Sequence, residues 1–195
     1  MDKSDVRRRV KAQKALLEAA DRADAALRAF ARLETTAAFM MAENILMYHS
    51  LPDELCTHEF LDKWHDRKHF YLPRVNGADL EILPYDRTRL KLGAFLIEEP
   101  DGADTVDMEA IDLVIVPAVA YDRNGNRVGR GRGYYDRLLR GTRATKVGIA
   151  YDFQLFDEVP FDENDVPVDI VITDMRLIKP SGDRAAERQS VDLRQ

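Results

Sequence analysis

Cysteine is almost absent: Cys56 stands alone among 195 residues. That rules out an intrachain disulfide and a zinc site built on paired cysteines, and it points to a reducing compartment, so a cytoplasmic location is expected. Long apolar runs are missing too. None approaches the roughly 20 residues of a membrane span, and the N-terminus reads as charged helix rather than a signal peptide with an apolar core. Histidine is scarce, with four in all. His65 and His69 are four apart, but two histidines alone make a poor transition-metal site, and His58, His65 and His69 are expected on a solvated helix face. Gly-x-x-x-x-Gly-Lys-Ser/Thr is absent, which excludes a Walker-type loop. The serines, Ser4, Ser50, Ser181 and Ser190, lie in no nucleophile elbow, so serine hydrolysis is excluded as well.

What is present is enough apolar residue, 45% of the chain, for one full core, expected over 1–180, with a polar tail at 181–195. The net charge of −6 argues against a general nucleic-acid or membrane-surface protein. Neither partner is expected, and the chain is expected to be a monomer. The basic residues nevertheless cluster. One group is Lys3, Arg7, Arg8, Arg9, Lys11 and Lys14; the other runs from Arg123 through Arg127, Arg130 and Arg132 to Arg143. An acidic protein with two arginine-rich patches suits a small, highly charged anion.

From Lys3 to Met41, Ala, Leu, Arg and Glu dominate, with Leu16, Leu17, Ala20, Ala23, Leu27, Phe30 and Leu33 near helical spacing, which predicts one long helix or two. A second helix is expected over Thr57–Asp66, with Thr57 as its cap. Strands are expected at 44–50, 69–75, 80–85, more weakly 94–97, then 111–117, 146–151 and 169–173. The run Ile111–Pro117 is nearly all apolar, as in a central strand covered on both faces. Alternating strands and helices predict a three-layer α/β fold with a largely parallel, Rossmann-like sheet, whose ligands gather at strand carboxyl ends.

Between the 111–117 strand and a helix expected at 134–140 lies Arg127-Val128-Gly129-Arg130-Gly131-Arg132-Gly133-Tyr134-Tyr135-Asp136. Glycine permits close backbone approach and positive dihedrals, and a helix N-terminus adds partial positive charge, so the segment reads as a cradle for phosphate oxygens. Its glycine spacing misses the dinucleotide fingerprint. Other interpretations are a disordered Arg-Gly RNA-binding segment, or a plain turn with Asn124-Gly125 as its hairpin. Asp136, and the acidic run Asp162-Glu163-Asn164-Asp165, offer hard oxygen ligands for nucleotide-bound magnesium, the alternative for the run being a solvated loop.

The order of these segments resembles the 5-formyltetrahydrofolate cyclo-ligase (methenyltetrahydrofolate synthetase) family, from Lys3 to about Thr173. The resemblance is carried by Val116–Asp122 and Gly125–Arg137, together with Lys3-x-x-x-Arg7, Asp53-Glu54 with Thr57, Leu72-Pro73-Arg74, Glu99-Pro100 and Asn164–Asp169. It implies an enzyme that converts 5-formyltetrahydrofolate to 5,10-methenyltetrahydrofolate with ATP as co-substrate and Mg²⁺, through a phosphorylated formyl group. It further implies that Lys3, Arg7 and Arg127 to Tyr135 (Val128, Gly129, Arg130, Gly131, Arg132, Gly133 and Tyr134 between them) bind ATP. Arg132 and Tyr135 become catalytic candidates, Arg132 steadying the migrating phosphoryl group. His49, Glu54 and Arg130 to Tyr134 would contact the folate, and Asp136 and Asp165 the metal. Two departures stand out: Ala118 replaces a usual Gly and Tyr121 a usual Phe. A non-catalytic nucleotide- or RNA-binding relative, or a sugar-phosphate isomerase on a similar scaffold, is the competing assignment.

Overall fold

A seven-stranded sheet organises the computed structural model, which describes residues 1–93 and 97–180. Residues 94–96 of the weakest expected strand and the polar tail at 181–195 lie outside the described residues. In chain order the sheet takes β1 (Asn44–Leu46), β2 (His69–Asn76), β3 (Asp79–Pro84), β6 (Leu113–Val116), β9 (Thr145–Ala150), β11 (Ile170–Thr173) and β12 (Leu177–Ile178). Two hairpin strands, β4 (Leu90–Leu92) and β5 (Glu98–Pro100), pair separately, and β7 (Ala120–Asp122), β8 (Arg127–Val128) and β10 (Leu155–Phe156) form a small third sheet. The spatial order is β12-β11-β9-β6-β1-β2-β3. The strands from β11 to β2 are parallel, and only the edges β12 and β3 run antiparallel.

Alternation along the central strands sorts their side chains to two faces. Leu113 and Ile115 of β6 join Ile45, Val147 and Ile149 under the helices α2 (Ala19–Glu34), α3 (Ala37–Met41) and α4 (His58–Trp64). Val114 and Val116 face the other way, toward Leu139, Ala150 and Val171 beside α5 (Tyr134–Leu138). Both faces are covered, hence the all-apolar, fully buried β6. Ile115 is 0% exposed. Ile115→Ala should therefore lower unfolding free energy by about 3 kcal/mol in a urea titration, through lost transfer energy plus a cavity.

Where the sequence predicts one long helix or two over Lys3–Met41, the chain forms three. α1 (Lys3–Lys14) stops at Ala15, and α2 starts after Glu18. The break is held by Arg22, whose Nη2 donates to Lys14 O at 2.7 Å and Nε to Leu17 O at 3.4 Å, adding side-chain donors to carbonyls at and just past the α1 C-terminus. The buried stripe of α2 is Ala25, Ala26, Ala29, Phe30 and Leu33, while Leu16 and Leu27 are exposed, so the anticipated apolar face is partly misplaced. Thr36 then caps the one-and-a-half turns of α3 by accepting from Phe39 N. Thr57 does precede α4, but its hydroxyl serves another purpose: it donates to Tyr48 O at 2.9 Å and accepts from Ser50 N at 3.0 Å, clamping the chain as it leaves β1.

From β1 the chain moves to β2 on one side, and later returns to β6 on the other. A crevice therefore opens between the carboxyl ends of β1 and β6, where strand order reverses.

Candidate active site

The expected strand at 44–50 pairs only over its first three residues, and the remainder peels away to form a wall of that crevice. Tyr48, His49, Leu51 and Glu54 supply one side; Pro117 and Ala118 after β6 supply the floor. The glycine loop 129–133 and α1 close the third side of a cleft of about 910 Å³. Of the candidate site residues only Val128 is absent from its lining, being wholly buried against Val6 and Val10 of α1.

Local chemistry shapes the loop. Asn124-Gly125 is a hairpin turn after all, joining β7 to β8, and Asp122 secures it: its carboxylate, 0% exposed, accepts from the amides of Asn124, Asn126 and Val159 and from Asn126 Nδ2. The structural role of Asp122 is not legible in the sequence, because an Asx-type side chain in a turn looks solvated until the strands around it are known. Beyond β8, Gly131 (φ 99°) and Gly133 (φ 67°) take left-handed backbone. A Cβ on Gly133 would sit 2.9 Å from Arg137 Nη1. The helix that follows ends at Leu138 rather than Arg140, and five residues generate little macrodipole. Positive charge here comes from side chains, not from the helix end on which the phosphate-cradle argument partly leaned.

Each of three cations facing the cleft is paired with a carboxylate that is itself a site candidate or its neighbour. Lys3 Nζ lies 2.8 Å from Asp162 and 2.5 Å from Asp165. Arg127 is 4% exposed, and its Nη2 lies 2.5 Å from Asp136 Oδ1, which also accepts from Val166 N at 3.1 Å. Arg130 Nη2 bridges Glu54 Oε1 at 2.9 Å and Asp53 Oδ1 at 3.1 Å. Arg7 donates to Gly129 O at 2.9 Å, pinning α1 to the loop.

The bonds to Asp136 converge on Oδ1 and those to Asp165 on Oδ2. No cluster of three or more His, Cys, Asp or Glu side chains suited to a metal occurs among the described residues. Asp136 and Asp165 nevertheless line the same cleft, and magnesium typically takes one or two carboxylates together with substrate phosphates.

Under the loop sits a knot of phenols. Tyr121 is fully buried, and its hydroxyl donates to Val116 O, so its polar atom is satisfied. The Tyr135 hydroxyl is buried without a hydrogen-bond partner among the described residues. Burial, and next the nearby Glu54 charge, push its pKa far up, so it stays a neutral donor.

His49 stacks on His58 at 3.9 Å between ring centroids, and its Nδ1 lies 3.0 Å from Glu98 Oε2. His58 therefore is not on a solvated face; its Nε2 is 3.2 Å from Ser50 O. His65 does lie at the surface beside Asp66. Burial first, and His58 second, lower the His49 pKa against the pull of Glu98. With the folded pKa below the unfolded value, the unfolded chain takes up the proton first, and stability should fall as pH drops through about 6.5. His49→Gln should remove that part of the slope in chemical denaturation followed from pH 7.5 to 5.5. Glu98 itself went unnoticed in sequence, where nothing ties it to a residue so far upstream.

No described helix is long and apolar enough to cross a membrane. Comparison with known proteins gives one consistent picture. The 5-formyltetrahydrofolate cyclo-ligase family model matches residues 1–174. The 5-formyltetrahydrofolate cyclo-ligase of Escherichia coli K12 is 32% identical over 156 residues, 75% of this chain and 86% of that protein. Its Haemophilus influenzae counterpart is also 32% identical, over 142 residues, 67% of this chain and 76% of that protein. Among solved structures, Aquifex aeolicus 5,10-methenyltetrahydrofolate synthetase superposes with a TM-score of 0.84 at 31% identity, covering 93% of this chain and 94% of that one. With motif order, a parallel sheet and these matches in agreement, the chain belongs to the 5-formyltetrahydrofolate cyclo-ligase family.

Proposed function

We propose that this protein converts 5-formyltetrahydrofolate to 5,10-methenyltetrahydrofolate, consuming ATP in the presence of Mg²⁺ and releasing ADP and phosphate. The observation that carries this is the meeting, in one cleft at the sheet's switch point, of Lys3, Arg7, Arg127 and Arg130 with Glu54 on the facing wall. The basic set suits a triphosphate; the Glu54 carboxylate suits the paired N–H donors of a reduced pterin.

A formamide is a weak electrophile whose oxygen leaves poorly. The formyl oxygen therefore attacks the γ-phosphorus, the bond to ADP breaks, and an N5-iminium phosphate results. N10 adds to that carbon and loses its proton. The carbon–oxygen bond then breaks, and phosphate departs with the former formyl oxygen. Phosphoryl transfer of this kind needs positioning and charge neutralisation above all. Lys3, Arg7, Arg127 and the 129–133 backbone hold the triphosphate in line, Arg132 steadies the migrating group, and the neutral Tyr135 hydroxyl donates a hydrogen bond at the reacting end. Magnesium, when bound, would be held by Asp136 and Asp165 and would offset charge on the β- and γ-phosphates. Lone Cys56 fits a cytoplasmic setting, and a cleft of about 910 Å³ fits small-molecule substrates; the protein would act as a monomer without nucleic acid.

Isotope transfer tests the route. With ¹⁸O in the formyl group, the label should appear in inorganic phosphate; label found in water instead would eliminate the phosphorylated intermediate.

A further inference from the structure

Arg130 sits between two carboxylates that are not equivalent. Asp53 is half exposed and has a second cation: Lys14 Nζ, at the end of α1, lies 3.2 Å from its Oδ2. Glu54 has a side chain only 16% exposed, and its Oε2 accepts from a neutral donor, Leu51 N, at 3.0 Å. Arg130 Nε and Nη2 both donate to the same Glu54 oxygen, Oε1, at 3.3 Å and 2.9 Å.

A guanidinium turned toward phosphate oxygens cannot keep those bonds. Once it turns, Asp53 remains neutralised by Lys14. Glu54 is left as a desolvated carboxylate with Oε1 facing the cleft, a costly state that a ligand presenting two parallel N–H donors relieves. The asymmetry thus has a direction: an anion that draws Arg130 away increases the appetite of Glu54 for a donor ligand. By linkage the donor ligand, in displacing Arg130 from Glu54, strengthens anion binding to the same degree.

We propose that Arg130 couples the two substrates, masking Glu54 while paired with it and unmasking it on passing to the phosphates of ATP, so that ATP and the folate bind with positive cooperativity. This rests on the assignment above of phosphates to the loop and of the folate to Glu54. Lys14 and Asp53 act as the counterweight that lets Arg130 leave without stranding a second charge.

Calorimetric titration of the full chain with 5-formyltetrahydrofolate, with and without a β,γ-imido ATP analogue plus Mg²⁺, tests the coupling. Wild-type affinity for the folate should rise about tenfold with the analogue, within the usual range of coupling between sites. Arg130→Met removes the mask; its side chain is half exposed, so folding should be retained. That variant should bind the folate without nucleotide as tightly as wild type does with it, and show no further tightening at analogue concentrations that saturate the variant. A merely structural Arg130 would instead give weaker folate binding. Equal wild-type affinity with and without analogue, weaker folate binding by Arg130→Met, or a preserved tenfold response in it overturns the coupling alone. Failure of wild type to bind the folate under either condition overturns the underlying functional assignment, and the coupling with it.

Discussion

Arg127→Met is expected to lower kcat by about a hundredfold to a thousandfold, the usual cost of removing one preorganised donor from a charge-developing site. Stability should fall as well. Arg127 is almost entirely buried, and its loss leaves Asp136 facing Val166 N without a cation. Breaking a buried pair from one side typically costs about 3 kcal/mol or more, and the partial exposure of Asp136 places this case at the lower end. The two effects separate in a double-mutant cycle. Arg127→Met combined with Asp136→Asn should regain much of the stability, because no charge is left unpaired, yet regain none of the turnover. Steady-state kinetics beside urea melts of the four proteins decide it; recovery of activity in the double variant would mean that Arg127 serves Asp136 and not the phosphates.

Glu54→Gln should raise KM for 5-formyltetrahydrofolate by about tenfold to a hundredfold, since a charge-assisted pair of bonds is replaced by one amide oxygen that accepts and one nitrogen that cannot. KM for ATP should move the other way. Arg130 loses its shorter carboxylate partner and becomes freer to meet phosphate. A rise in both KM values together would point to a collapsed loop rather than to a folate contact. Initial rates over a matrix of both substrates distinguish these outcomes.

Much of the architecture was legible from periodicity. β6 is a continuous apolar run, as is β11 through Ile172, and a strand covered on both faces hardly permits any other pattern. Short elements were not. β7, β8, β10 and β12 have two or three residues each, too few for any period to register. The break before α2 was hidden because good helix formers continue through it, and what stabilises it is Arg22 from the next helix. At the site, the loop's glycines and arginines announced themselves by composition. The ion pairs did not: Arg130 with Glu54, Lys3 with Asp165 and His49 with Glu98 join residues 76, 162 and, by number, 49 positions apart. Such pairings are set by the sheet's crossovers, which bring β1, α1 and the loop to one crevice, and no local pattern encodes them. The spacing that suggested a helix-end field likewise hid that α5 lasts only five residues.

Central to all of this is a single reaction in a single cleft. Purified protein mixed with 5-formyltetrahydrofolate, ATP and Mg²⁺, and followed by the absorbance of the methenyl product, tests it most directly. The account predicts a signal that requires ATP, yields one ADP per methenyl formed, and slows by about a hundredfold or more in Arg127→Met. Product formed equally well without ATP, or no product at all from folded wild-type protein, would contradict it.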